Sequence, residues 1–198
     1  MACKPAEALP RGKRSALLAL AASFALVAFG STVARSELIE AVRSGEQTAP
    51  SSAPGAEDAD EVARRVLELT NRARSAARRC GSETFAATRP LVASPALAKA
   101  AGGHAHDMAE HGYFAHRARD GSTVGQRATR AGYRWRAIGE NIAAGPPTAD
   151  AVVQGWLNSP EHCANLMRPH FTDMGIAFAI NTEGKHRVYW VQVFGAPR

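Results

Sequence analysis

The last third of the chain places the tightest constraint on the fold, because the hydrophobic period changes there. Met174, Ile176, Phe178 and Ile180 alternate with Gly175, Ala177 and Ala179. Successive strand side chains point to opposite faces, so this segment reads as a strand with one bulky apolar face and one small-residue face. The small face lets another layer approach closely. Asn181 to Lys185 turns the chain, and Val188 to Phe194 returns as a nearly continuous apolar run. Such a run marks a strand covered on both faces, so the expected architecture is a sheet with helices on each side.

The helices are legible upstream. Val62, Val66, Leu69 and Ala73 recur at helical spacing and predict a first helix ending near Cys80-Gly81, with a loop from Gly81 to Arg89. Ser94-Pro95 is a helix start: serine caps free amides and proline occupies the first helical position. That helix runs to Gly112 and puts Leu97, Ala101, His104, Met108 and His111 on one face, with Lys99, His106 and Glu110 elsewhere. Thr123 and Gln126 form a capping box for a short helix carrying Val124, Ala128 and Ala131 as far as Gly132. Thr148 opens a helix carrying Ala151, Val152 and Trp156, and Ser159-Pro160 opens a further helical turn through Met167. No internal repeat is evident.

With 198 residues and 45% apolar side chains, the chain suffices for one domain with a full core. Residues 1–34 combine a basic start (Lys4, Arg11, Lys13, Arg14) with an uncharged small-and-apolar run, which reads as a secretory signal peptide cleaved after Ala34. A retained membrane anchor is the competing reading, since Ser15 to Ala34 has about the length of a span. Residues 35–60 lead into the domain; from Ser44 the segment is rich in Pro, Gly, Ser, Ala and acid and reads as a flexible linker. The domain is expected over 61–198, in a secreted or periplasmic setting.

Cys80 and Cys163 then remain in a compartment where disulfides persist. A single bridge is the natural pairing; two buried free thiols are the alternative. A bridge would close a loop of about 80 residues, worth at most roughly 4 to 5 kcal/mol on the chain-entropy model.

From Glu61 onward 18 Lys and Arg stand against 11 Asp and Glu, a surplus of +7. Arg64, Arg65, Arg72, Arg74, Arg78 and Arg79 fall in the first predicted helix, where a solvated face explains them. Nucleic-acid binding would call for aromatic interleaving or a known module, and neither is present; an anionic envelope polymer or membrane surface stays open.

Four of the seven histidines lie between His104 and His116. His104 faces the core by helical spacing and His106 faces water. In Ile138-Gly139-Glu140-Asn141-Ile142 an extended backbone puts Glu140 on the same face as two isoleucines, where a carboxylate needs a partner. That partner can be a histidine or metal, or simply backbone amides or an arginine. His162 falls in the first turn of the helix begun by Pro160, where the helix dipole disfavours imidazolium and favours the neutral ring that a metal ligand or base requires. A structural hydrogen bond would account for it equally well. No phosphate loop, HExxH or CxxC pair occurs, and Gly121-Ser122-Thr123-Val124-Gly125 lacks the central serine of a nucleophile elbow.

Taken in order, Leu69-Thr70-Asn71-Arg72-Ala73-Arg74, Pro90-Leu91, His104, Asp107-Met108, Tyr113-Phe114-Ala115-His116, Asp120-Gly121, Ala131-Gly132-Tyr133, Gly139-Glu140-Asn141-Ile142, Trp156, Ser159-Pro160-Glu161-His162 and Asn165 resemble the CAP (SCP, cysteine-rich secretory, antigen 5, pathogenesis-related) superfamily in its bacterial secreted form. The resemblance implies an α+β fold, a three-layer α-β-α sandwich with a mainly antiparallel central sheet, and a cleft lined by two histidines and two glutamates. His116, Glu140 and His162 match three of those four; Ser159 stands where the second glutamate would be. The implied function is binding of a small apolar or envelope-derived ligand, such as a lipid or cell-envelope component, or of a partner. The alternative is a metal-dependent hydrolase in which His116, His162 and Glu140 hold a divalent ion such as zinc.

Overall fold

The computed structural model describes residues 59–198. The expectations for the leader over 1–34, and for all of the linker before residue 59, lie outside that range. Among the described residues, no helix is long and apolar enough to cross a membrane.

The elements run α1 (Ala59–Arg74), β1 (Arg78–Cys80), β2 (Glu83–Phe85), β3 (Val92–Ala93), α2 (Pro95–His111), α3 (Val124–Arg130), β4 (Trp135–Ala144), α4 (Ala149–Asn158), α5 (Pro160–Met167), β5 (Asp173–Ile180) and β6 (Val188–Pro197). The central sheet has the order β3-β5-β6-β4, in which β6 pairs antiparallel with both β5 and β4, and β3 lies parallel to β5. The two strands recognised by their period are thus the middle of the sheet. The fold is the expected α+β, three-layer arrangement.

Strand alternation divides the core. Met174, Ile176, Trp190 and Phe194 face one side and pack with Val62 and Val66 of α1, Val152 and Trp156 of α4, and Leu166 of α5. Tyr189, Val191 and Val193 face the other side, with Leu97, Ala101, Ala105 and Met108 of α2 and Ala128 of α3. The small face of β5 serves as the sequence implied: a Cβ on Gly175 would sit 2.1 Å from the Ala98 nitrogen and 2.2 Å from the Leu97 carbonyl carbon. α2 therefore lies directly on the sheet.

The caps of α2 and α3 match the sequence. Ser94 accepts the Leu97 amide, Gly112 ends α2 at φ 65°, and the Thr123/Gln126 capping box is complete.

Four local expectations are corrected. α1 begins at Ala59, taking in two residues assigned to the linker, and it ends at Arg74 rather than near Cys80. Cys80 and Gly81 belong instead to a small hairpin of β1 and β2, and Gly81 supplies the positive φ of its turn. The hairpin is fixed from far away in sequence: Cys80 is bonded to Cys163, and Cys80 and Phe85 pack on Cys163, Ala164 and Met167. His111 is exposed. The fourth correction concerns Arg74, which is fully buried and not on a solvated face. Its guanidinium donates to the carbonyls of Arg89, Leu166, Arg168 and Phe171. Burial without a carboxylate partner pulls its pKa down to about 10.

Candidate functional site

β4, the loop after α2 and the first turn of α5 supply the three expected residues. Glu140 lies in β4 opposite Val193, on the sheet face covered by α2 and α3, and its side chain is 2% exposed. Its two oxygens are divided. Oε1 is 2.8 Å from His116 Nδ1, and Oε2 accepts from Arg127 at 2.5 Å. The need of a buried carboxylate for a partner is met twice, once by a histidine and once by an arginine.

Arg127 escaped the sequence reading. It occupies α3 three residues after Val124, so it shares the apolar face, and it is 9% exposed. Besides Glu140 it donates to the carbonyls of His116 and Ser122. One guanidinium thereby neutralises the buried carboxylate and holds the loop that presents His116. The pattern that points to it is a cation at a core-facing helical position, in a chain with a carboxylate at a core-facing strand position.

His104 is buried beneath this group, as helical facing requires. Its Nε2 bonds the Ala115 carbonyl at 2.9 Å, so Nε2 carries the proton, and the buried Nδ1 has no partner among the described residues. Desolvation first, and then the charge of Arg127, lower its pKa. His104 is a neutral strut under the residue that precedes His116.

With Nδ1 turned to Glu140, His116 offers Nε2 outward from a side chain that is 59% exposed. His162 is the third residue of α5, and its carbonyl accepts from Asn141 Nδ2 at 3.2 Å. Asn141 is fully buried and reaches Gln192 at 3.2 Å, while Asn165 donates to Asn141 Oδ1 and to the Glu140 carbonyl. Gln192 in turn donates to Thr70 of α1. This buried amide network locks the start of α5 to the sheet and fixes where His162 stands. Desolvation, followed by the charge of His116, lowers the His162 pKa, while Glu161 acts in the opposite sense. Among the described residues none hydrogen-bonds the His162 ring, and it does not join the pair formed by His116 and Glu140.

His162 lines a hollow of about 310 Å³ with Phe114, Ile142, Pro146, Trp156 and His186. His186 shares this hollow. His116 and Glu140 line a separate recess with Arg117, Thr123 and Val124. A wider hollow of about 730 Å³ between Asp120, Trp135 and Ile138 contains none of the three residues. His106 is exposed. Ser159 caps no amide with its side chain.

The three-ligand metal set is not assembled. Among the described residues no group of three or more His, Cys, Asp or Glu is placed to hold a metal ion. Both oxygens of Glu140 are engaged, one by a permanent cation, which leaves at most two imidazoles where a catalytic zinc takes three protein ligands.

A mixed three-layer sandwich that carries one histidine on a loop, one in the first turn of a helix and a buried glutamate on a strand defines an SCP-type domain. Solved structures agree. An extracellular protein containing an SCP domain from Bacillus anthracis is 29% identical, with a TM-score of 0.56 over 69% of this chain and 41% of that one. An outer surface protein from Borrelia burgdorferi shares the fold at 22% identity and a TM-score of 0.54, over 68% of this chain and 89% of that one. The description of the CAP, or cysteine-rich secretory protein, family matches residues 67–194, and the chain belongs to that family. The uncharacterised protein YkwD of Bacillus subtilis is 32% identical over 127 residues, 64% of this chain and 45% of that protein. The chain thus spans under half the length of that relative.

Proposed function

We propose that this is an extracytoplasmic binding protein that takes a small apolar or envelope-derived ligand in a cleft joining the hollow at His162 to the recess of His116 and Glu140. The observation that carries the reading is the composition of the hollow at His162. Phe114, Ile142, Pro146 and Trp156 supply an apolar wall, and His162 and His186 supply polar atoms at its edge. Small-molecule sites combine an apolar lining with a few placed polar groups, and about 310 Å³ suits a small occupant. The lowered pKa of His162 keeps its ring neutral near pH 7, so it offers one donor and one acceptor rather than a charge. A hydroxyl or amide head on an apolar body matches that pairing better than a carboxylate. The extracellular and outer-surface neighbours support an extracytoplasmic setting. Glu140, held between Arg127 and His116, is not free to act as a base or ligand, which weighs against a metal-dependent hydrolase.

The test is titration of the full chain with 1-decanol and with decanoate. Saturable binding of the alcohol, tighter than that of the acid and weakened at least tenfold by Phe114→Asp, is expected. Absence of saturable binding to either, or an alcohol affinity untouched by Phe114→Asp, would overturn the reading.

A further inference from the structure

Part of the positive surplus gathers at one end of the sheet. On α1, Arg64, Arg65 and Arg72 are matched to Glu61, Glu68 and Asp150, while Arg127 and Arg130 pair with Glu140 and Asp120. Where β4 and β5 begin and β6 ends, the balance differs. Arg89, Arg136, Arg168 and His170 are all exposed there, and among the described residues none of them forms an ion pair. Asp173, which also lies at this end, accepts the Tyr133 hydroxyl.

Two independent features build this surface. The first is a β-bulge: Trp135 lies opposite Pro197 and Ala137 opposite Ala196, so Arg136 is the extra residue without a partner in the ladder. Bulges re-aim side chains. Desolvation first, and then the charges of Arg168, Arg136 and Arg74, oppose protonation of the His170 ring. The second feature is Arg74. Its fully buried guanidinium, bound only to carbonyls, is anchored to the backbones of Arg89, Arg168 and Phe171. A buried cation without a counter-ion raises the potential of the surface above it.

We propose that Arg89, Arg136, Arg168 and His170, lying over the buried Arg74, form a docking surface for a linear polyanion that carries phosphate groups. Guanidinium forks match phosphate oxygens in pairs, and a row of them suits a chain of repeating charges. A bilayer is the poorer fit, because membrane-surface elements bring long apolar side chains. The large apolar side chain exposed at this end is the short Val92. A nucleic acid is also a poorer fit, because base stacking needs a free aromatic face. His170 packs edge-on against Phe171 at 4.4 Å, and Phe171 is buried. The surface stands at the far end of α5 from His162, so it is separate from the cleft.

The test measures binding of the full chain to inorganic polyphosphate as a function of salt. Arg136→Gln with Arg168→Gln should weaken binding at least tenfold and make the slope of log affinity against log salt shallower by about 1 to 2. Lys99→Gln with Lys185→Gln, which removes the same charge from exposed sites elsewhere, should leave affinity within about twofold. Equal losses in both variants would reduce the effect to net charge and overturn the proposal. It is equally overturned if the native chain fails to bind polyphosphate, binds only phosphatidylglycerol vesicles, or prefers oligothymidylate.

Discussion

His116 Nδ1 and Glu140 Oε1 stand 2.8 Å apart, and the carboxylate that joins them is simultaneously held by Arg127 at 2.5 Å. Glu140 therefore has two functions: it orients an exposed imidazole, and it forms the buried half of an ion pair linking β4 to α3. Arg127→Met strands the carboxylate in a buried site, and breaking such a pair from one side costs about 3–5 kcal/mol. Adding Glu140→Gln to that variant should recover part of the loss, because no unpaired charge remains. Urea unfolding of the single and double variants measures both effects.

The Cys80–Cys163 bridge spans 83 residues and fastens the β1–β2 hairpin to the helix that carries His162. Reduction should lower stability by at most roughly 4 to 5 kcal/mol, the chain-entropy value for a loop of this length. Denaturant midpoints with and without reductant check this. Amide exchange should accelerate first in residues 78–85 and 160–164.

Gly175 and Gly103 make an opposed pair of tests. A side chain at Gly175 meets the backbone of α2, which cannot yield, so Gly175→Val should cost about 3 kcal/mol or more, the upper range of overpacking. Gly103 lies in α2 with open space where its Cβ would be. Gly103→Ala should raise stability by about 0.4–1 kcal/mol, since alanine restricts the unfolded chain at no steric cost. Thermal unfolding of the two variants reads out both signs.

These contrasts show what the sequence could and could not convey. β5 and β6 were legible because the alternation of Gly175, Ala177 and Ala179 with bulky residues is a local record of two different layers. α2 was legible because Ser94, Pro95 and Gly112 act within their own turns. The β1–β2 hairpin was not legible: its three-residue strands are held by Cys163 and by Pro160, whose Cβ would be 2.9 Å from a Cβ on Gly81. β3 has two residues, and its pairing with β5 spans about eighty residues of sequence, which no local period encodes. Arg74 and Arg127 were hidden by their chemistry. In a basic chain an arginine on a helix reads as a solvated charge, and only the assembled fold shows carbonyls or a carboxylate converging on it.

Stability should fall on mild acidification. His104, His162 and His170 all have pKa values lowered from 6.5, with desolvation the first cause in each. Between those lowered values and 6.5 the unfolded chain binds more protons than the folded one, so stability rises with pH across that window. It is complete above about 6.5, the unfolded histidine value, and is lost as pH falls toward the folded values. Urea midpoints between pH 7.5 and 5 should decline, and His104→Gln should flatten the decline while lowering the plateau.

The charge of His116 acts on His162, and this gives a direct test of the cleft. Desolvation is the larger cause of the lowered His162 pKa, and the charge of His116 adds to it, while Glu161 opposes both. His116→Gln removes only the second cause, so the His162 pKa should rise yet remain below 6.5, because its burial is unchanged. Glu161→Gln removes the opposing charge and should lower it further. Since Glu161 and His162 are neighbours on α5 whereas His116 comes from the loop after α2, the two variants separate a local effect from one across the cleft. NMR titration of the His162 ring reads both shifts. An unmoved value in His116→Gln, alongside the expected fall in Glu161→Gln, would place the two histidines too far apart to line one binding cleft.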